Sequence, residues 1–336
     1  MMAESHDISG FLAPHGYTGL KAIAQDGSSR RYFRVHKGDQ TAILMVAPPE
    51  AASPGHKISD FLRIDTWLRE IGIAAPEIYA ADEAIGFVLM EDFGDVSFKQ
   101  AIKQGRMPEE VYGLAAHILN QLQAAACPPG LPDYYQSHVH KGHRRILDWY
   151  YPAATGRILP DGLAEEYLDV WHGIESKMPP CPQGFLHIDY HAENLMWRSG
   201  QPGLAQCGIL DFQGAMRGPL PYDLANLLED ARMDVPPDLR AFILSHYDED
   251  YRLWYRVLGT QFHARVIGQF IKLALAGKPQ YLGYIPRVHA YLREGLKHPL
   301  LKPLQTFLMQ AGLDFAANPP VIDLAKIKPL IRPDVF

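Results

Sequence analysis

One stretch constrains this chain more than any other. Residues 185 to 197 read Phe-Leu-His-Ile-Asp-Tyr-His-Ala-Glu-Asn-Leu-Met-Trp. An apolar run leads into a polar loop and a second apolar run leads out, the pattern of strand, loop, strand. The loop carries Asp189 and, five residues on, Asn194. Seventeen residues beyond Asn194 stands Asp211, closing the run Cys207-Gly208-Ile209-Leu210. Phosphoryl transfer calls for such a set: a carboxylate to take the acceptor's proton, and an amide and a second carboxylate to hold Mg²⁺ against phosphates. At this chain's residue frequencies, His-x-Asp-x4-Asn should arise by chance only ~0.01 times, so the spacing carries information.

Each residue also has an ordinary reading. Asp189 can solvate a turn, Asn194 can cap one, and Asp211 can end a strand. The three readings coinciding at this spacing is what favours Asp189 as proton acceptor and Asn194 with Asp211 as metal ligands. His187, two residues before Asp189, suits a structural role, bonding a backbone carbonyl to orient the loop. His187, Asp189 and His191 also spell His-x-Asp-x-His, a pattern that can bind a transition metal. That alternative, a metal-dependent hydrolase, leaves Asn194 and Asp211 without a role.

The chain of 336 residues is long enough for one large or two modest domains. A net charge of −6 argues against a nucleic-acid partner, since such domains tend to be basic. Cys127, Cys181 and Cys207 lie far apart and read as reduced thiols, the pattern of a cytoplasmic protein. No signal peptide and no apolar run of membrane-spanning length is evident, and no protein partner either.

Along the chain, residues 1–18 read as a helix or loose arm. Strands are expected at 20–25, 31–36 and 41–46, a helix at 59–71, and strands at 77–81 and 86–90. The polar link Glu91-Asp92-Phe93-Gly94-Asp95 marks a boundary, giving an N-terminal lobe 1–93 and a C-terminal lobe 94–336. Beyond it the chain reads as mainly helical: 97–104, 109–125, 138–149, 163–177, 222–231, 237–251, 255–275, 286–295 and 302–311. The strong strand signals there flank Asp189 and precede Asp211. The Pro-rich tail from Asn318 is expected to run extended. The fold class is therefore α+β, a small antiparallel sheet lobe with one helix and a larger helical lobe.

The turn Asp26-Gly27-Ser28-Ser29 joins two strands, and its N–H groups and the hydroxyls of Ser28 and Ser29 could cover phosphates. In Arg31-Tyr32-Phe33-Arg34-Val35 the alternation puts Arg31, Phe33 and Val35 on one face. If Val35 touches an adenine, Arg31 lies about 13 Å away along the strand, near the phosphates.

Together these residues resemble the aminoglycoside phosphotransferase and choline kinase-like family, with its protein-kinase-like fold. The resemblance runs from Asp26 through Val35, Leu89 to Asp95 and His187 to Asn194 to the stretch from Asp211 to Pro219. Within the family, Ser29-Arg-Arg-Tyr-Phe-Arg-Val35, Met45-Val-Ala-Pro-Pro-Glu50 and Asp211-Phe-Gln with Gly218-Pro219 and Tyr222-Asp-Leu224 look like bacterial anomeric kinases for N-acetylmuramate and N-acetylglucosamine. The resemblance implies ATP and Mg²⁺ as cofactors, a hinge at Glu91 to Phe93 holding the adenine, and phosphate placed on a C1 hydroxyl. One departure stands out: kinases of this fold usually carry a Lys on the third strand. Thr41 to Val46 has none, and Met45 stands about where it belongs. Arg31 is expected to supply the missing charge, with Arg30 as the fallback. If neither does, a nucleotide-binding pseudokinase is the alternative.

Asp211 and Pro219 are eight residues apart, too short for a loop that docks peptides. The acceptor is therefore expected to be a small molecule. Between His138 and Arg157 four Lys or Arg stand against one acid, with Trp149 and Tyr150 among them. A neutral or anionic sugar suits such a wall better than a polycationic aminoglycoside, which with a choline-like compound is the alternative acceptor. Arg144, Trp149, Tyr150 and, further on, Arg232 are the candidate sugar-facing residues, although the aromatics suit a core equally well.

Overall fold

The computed structural model describes residues 2–23, 30–47 and 57–332. By packing, the chain forms two compact units: Met1–Leu131 with His187–Ala215, and Pro132–Leu186 with Met216–Phe336. The division expected at 93/94 follows the polar link Glu91 to Asp95, whereas by packing the first unit runs on to Leu131 and takes in His187–Ala215.

In the first unit, helix α1 (Met2–Leu12) precedes strands β1 (Thr18–Ile23), β2 (Arg31–Lys37) and β3 (Gln40–Val46). Helix α2 (Ile58–Glu70) and strands β4 (Ile78–Asp82) and β5 (Phe87–Glu91) follow. The five strands form one antiparallel sheet in the order β1-β2-β3-β5-β4. Lys37 pairs with Gln40 across the β2–β3 turn, where Gly38 takes a φ of 58° that a side chain would resist.

Both faces of this sheet are covered. Val35, Ala42, Leu44, Val46, Phe87 and Leu89 project to one side and pack on Ile8 and Leu12 of α1 and on Tyr17. Met45, Val88 and Met90 project to the other and are buried as well. In α2 the stripe Ile58, Phe61, Ile64 and Leu68 is buried, as the helical period requires. Helices α3 (Phe98–Lys103) and α4 (Pro108–Ala124) come next. Ser97 caps α3 by accepting from the Gln100 N–H at 3.2 Å, and Pro108 opens α4 where no N–H is needed.

Four short strands remain among the described residues: β6 (Gln183–Leu186), β7 (Leu195–Trp197), β8 (Cys207–Ile209) and β9 (Met216–Pro219). β7 and β8 make a hairpin in the first unit. Its edges bridge to Ser97 and Ala74, so it is tied to the link after β5 and to the approach to β4.

The second unit pairs β6 with β9 and is otherwise helical. Its main helices span Leu163–Glu175, Pro221–Leu228, Pro237–Leu244, Glu249–Leu275, Ile285–Gly295 and Lys302–Gln310. The break expected after residue 251 falls earlier, because the Asp248 side chain caps the long helix by accepting from the Tyr251 N–H at 2.7 Å. The helix expected over 138–149 is instead a short α turn, a 3₁₀ turn and a π turn over Ile146–Tyr150. This irregular segment presses on the long helix: a Cβ at Gly268 would collide with the Arg145 carbonyl oxygen. Strand β9 is absent from the sequence expectation. Met-Arg-Gly-Pro is a poor strand former, and its pairing comes from β6. The tail contains short helical turns at Leu324–Ile327 and Lys328–Leu330.

Candidate active site

The loop between β6 and β7 and the turn after β8 lie together in the first unit. Leu210 N–H donates to the Asn194 carbonyl oxygen at 2.9 Å, continuing the β7–β8 hairpin by one pair. The two candidate metal ligands, Asn194 and Asp211, therefore sit at the open end of one hairpin. Asn194 Nδ2 donates to the Asp189 carbonyl oxygen at 3.0 Å, and His191 N–H donates to the same oxygen at 3.1 Å. The backbone of Asp189 is thus fixed from two sides, and all three expected residues belong to one bonded assembly.

Burial separates the candidate residues from their neighbours. Asp189 and Asp211 are exposed and Asn194 is half-buried, while their neighbours His187, Ile188, Tyr190, Phe212 and Gln213 are buried. Tyr190 anchors the loop by donating its hydroxyl to the Ala115 carbonyl of α4 at 2.8 Å. Phe212 stacks on Phe61 of α2, with ring centroids 4.9 Å apart.

His187 does what its position suggests. Its Nε2 lies 3.0 Å from the Leu210 carbonyl oxygen. A carbonyl only accepts, so Nε2 carries the proton. Burial lowers the His187 pKa to about 4, against the pull of the Asp211 charge and of the Leu210 bond, so the ring is neutral near pH 7. His191 Nδ1 in turn accepts from the Glu193 N–H at 3.3 Å. Both imidazoles thus serve the loop itself. Among the described residues no three His, Cys, Asp or Glu side chains converge as a metal-holding group.

The donors present suit Mg²⁺. It binds oxygen and needs only one or two protein ligands beside phosphates and water. Asn194 and Asp211 supply such oxygens. Near them Gln213 Oε1 is buried and has no hydrogen-bond partner among the described residues.

The candidate nucleotide residues fare unevenly. Ser28 and Ser29 lie outside the described residues. Arg31 corrects the expectation. It is exposed, its guanidinium stands 5.8 Å from the Phe33 ring, and the face it shares with Phe33 and Val35 is the one α1 covers. The opposite face of β2 looks towards the site. Burial raises the Tyr32 pKa, Arg30 opposes that shift through its charge and a hydrogen bond, and Asp211 adds to it. Arg30, only 5% exposed, is therefore the cation grouped with Tyr32 and Asp211.

Met45 is fully buried where a lysine was expected. A lysine on the third strand would need an acid partner on α2; there Asp60 binds Arg63 at 3.2 Å and Glu70 is exposed. Asp65 is 2% exposed on the inner face of α2, and burial raises its pKa to about 7. A carboxyl that is partly protonated near neutrality tolerates such a position.

The expected hinge is braced by its side chains. Glu91 Oε1 accepts from Arg198 Nη2 at 2.6 Å, and the same guanidinium lies 4.4 Å from the Phe93 ring centroid. Phe93 nests where Gly208 has no side chain; a Cβ there would stand 2.5 Å from the ring. Arg34 forks onto Asp92 and Asp95 through four hydrogen bonds of 2.6 to 3.0 Å. Burial pushes Asp92 up, but the bonds from Arg34 and Gly94 leave its pKa below the ordinary value. Arg34 lies in the segment that carries the resemblance and Arg198 in none, and neither was expected as a brace.

The candidate sugar-facing residues belong to the second unit. Trp149 and Tyr150 are each 2% exposed, and Tyr150 stacks on Phe315 at 5.7 Å. They are core residues, which corrects their assignment as a displayed aromatic wall. Arg144 pairs with Asp148 at 3.1 Å and Arg232 with Asp230 at 2.9 Å, each partly exposed.

Among the described residues no helix is long and apolar enough to cross a membrane. The chain is similar to an N-acetylmuramate/N-acetylglucosamine kinase of Caulobacter vibrioides, at 29% identity over 88% of this chain and 93% of that one. It is also similar to a kinase of the same name from Pseudomonas aeruginosa, at 29% identity over 86% and 87%. The structure resembles a choline kinase of Streptococcus pneumoniae, with a TM-score of 0.61 at 13% identity, covering 87% of this chain and 99% of that one. Residues 19–258, most of the chain, match the family described as the phosphotransferase enzyme family, to which this protein belongs.

Proposed function

We propose that this protein is an ATP- and Mg²⁺-dependent small-molecule kinase of the cytoplasm that phosphorylates the C1 hydroxyl of N-acetylmuramate or N-acetylglucosamine. The observation that carries the reading is the exposed Asp189, backbone-locked beside Asn194 and Asp211 in a family of phosphotransferases. The sugar is supported by the names of the two bacterial relatives.

In this reading Asp189 accepts the proton of the sugar hydroxyl as its oxygen attacks the γ-phosphorus. The bond to the β–γ bridging oxygen breaks, and ADP leaves. A hemiacetal hydroxyl is more acidic than an ordinary alcohol, so it asks less of a carboxylate base. Asn194 and Asp211 would hold Mg²⁺, which when bound neutralises phosphate charge. Arg30 adds a fixed positive charge on the same side. Residues 1–93 would form the nucleotide lobe, with Glu91 to Phe93 against the adenine, and residues 94–336 the catalytic and acceptor lobe. Arg144 and Arg232 remain candidates for acceptor contacts.

The test is ADP release by the purified chain against N-acetylmuramate, N-acetylglucosamine, choline and an aminoglycoside. The two amino sugars should be turned over, and phosphate should appear at C1. Turnover of choline or the aminoglycoside alone would replace the acceptor and keep the kinase. No ATP-dependent turnover of any acceptor would favour a binding protein.

A further inference from the structure

Gln213 stands two residues past Asp211, in the 3₁₀ turn Phe212–Gly214. The turn is closed by a 3.0 Å bond from Ala215 N–H to the Phe212 carbonyl and pinned by the Phe212–Phe61 stack. Gln213 is 8% exposed, so its side chain has little freedom. Its Nε2 donates a short hydrogen bond to Asp211 Oδ1. Its other atom, Oε1, is buried without a partner among the described residues.

A carboxylate can meet a cation with one oxygen or two. With one lone pair of Oδ1 taken by the amide, Oδ2 is the readier of the two Asp211 oxygens for a cation. Mg²⁺ accepts that arrangement: it takes six ligands at about 2.0–2.1 Å and keeps several waters. Ca²⁺ takes six to eight ligands at longer range, often through two-toothed carboxylates, and gains less from a single oxygen. A buried amide oxygen also calls for a donor, and the waters that Mg²⁺ retains are donors.

We propose that Gln213 is a specificity-determining residue for the metal, holding Asp211 to one coordinating oxygen and so favouring Mg²⁺ over Ca²⁺. This rests on the kinase reading above, because it takes Asp211 as a metal ligand. Gln213 acts through Asp211 and is a positioning residue.

The experiment measures binding of a non-hydrolysable ATP analogue to the full chain by calorimetry, without acceptor. It is run with Mg²⁺, with Ca²⁺ and with neither, on the native chain, Gln213→Leu and Gln213→Glu. The native chain should bind the analogue about tenfold more tightly with Mg²⁺ than with Ca²⁺, given the two ions' ligand preferences. Gln213→Leu keeps the bulk, removes the amide and should bring the two ions to near parity. Gln213→Glu, should the leucine variant fail to fold, adds a carboxylate beside Asp211 and should shift the preference towards Ca²⁺. A Mg²⁺ to Ca²⁺ ratio unchanged in a folded variant overturns the role of Gln213 and leaves the kinase reading standing. Analogue binding by the native chain that ignores both ions overturns the metal reading itself, and this inference with it.

Discussion

His187 Nε2 donates to the carbonyl oxygen of Leu210 across 3.0 Å, and the residue after each partner has a positive φ. Ile188 stands at 78° and Asp211 at 61°. A β-branched residue such as isoleucine is a genuine outlier there. Such strain persists only where the surroundings over-determine it, and it costs about 1–3 kcal/mol per residue. Here the surroundings are identifiable: a buried imidazole, a hairpin bond from Leu210 to Asn194, and Tyr190 anchored on α4. The result is that two loops turn sharply at the residues they present, Asp189 and Asp211.

Removing that link should loosen both loops together. His187→Phe keeps a ring of similar volume and leaves the part-buried Leu210 carbonyl without its donor. The expected loss is about 1–3 kcal/mol of stability. Denaturant unfolding would measure it. The kcat should fall by more than the KM for the sugar rises, since the bond orients the base. A variant with native kcat would show that the hairpin holds the loops by itself.

Asp189→Asn should lower kcat ~10²–10⁴-fold, the usual cost of losing a general base. Analogue binding should survive, because Asp189 is held by its backbone oxygen rather than its carboxylate. Single-turnover kinetics with ATP and N-acetylmuramate would check both halves. A rate near that of the native chain removes Asp189 from the chemistry.

The second unit carries a pH dependence of its own. Burial, with smaller contributions from His140 and His172, lowers the His143 pKa from 6.5 to about 3. His140 is lowered to about 4, again mainly by burial. A buried neutral histidine binds fewer protons folded than unfolded. Stability is therefore full above pH ~6.5 and is lost as pH falls from there towards the folded values. At ~1.4 kcal/mol per unit, the loss for His143 alone reaches on the order of 4 kcal/mol by about pH 3. His143→Phe should flatten this part of a Tm-against-pH curve. An identical slope in the variant would place the titration elsewhere.

The contrast between what the sequence disclosed and what it hid has a physical basis. That Asp189, Asn194 and Asp211 come together was legible because their spacing along one loop and one hairpin is local. The five strands and α2 were legible because each follows a simple period. Strand β9 was hidden because Met-Arg-Gly-Pro has no period, and its partner β6 supplies the pairing. Trp149 and Tyr150 read equally as a wall or a core, and only packing against residues such as Phe315 decides between them. Arg34 and Arg198 bond partners 58 and 107 residues away in sequence, separations that no local pattern reports. The orientation of β2 was the subtlest loss. Phe33 and Val35 do face an apolar core, as alternation required, but that core is α1. A strand buried on both faces does not say which face meets the nucleotide.

That reversal sharpens the last prediction, which concerns the charge that stands in for the lysine missing from β3. Arg31 is exposed on the α1 side of the sheet, whereas Arg30 is buried and bonds Tyr32, whose hydroxyl also senses Asp211. A guanidinium at such a place can grip phosphate oxygens with two N–H groups, where an ammonium acts as a point charge. Arg30→Ala should therefore raise the KM for ATP and lower kcat, by about tenfold or more in kcat/KM, the scale of one lost charge-assisted hydrogen bond of ~1.5–3 kcal/mol. Arg30→Lys should recover part of that loss. Arg31→Ala should leave both constants within about twofold, since surface changes typically cost no more than ~0.5 kcal/mol. ATP kinetics beside a thermal melt of each variant separate the outcomes. If Arg30→Ala melts earlier but keeps its ATP constants, Arg30 is a brace for Tyr32. If Arg31→Ala alone impairs ATP use, the charge comes from the α1 side and the assignment of the β2 faces to function is wrong.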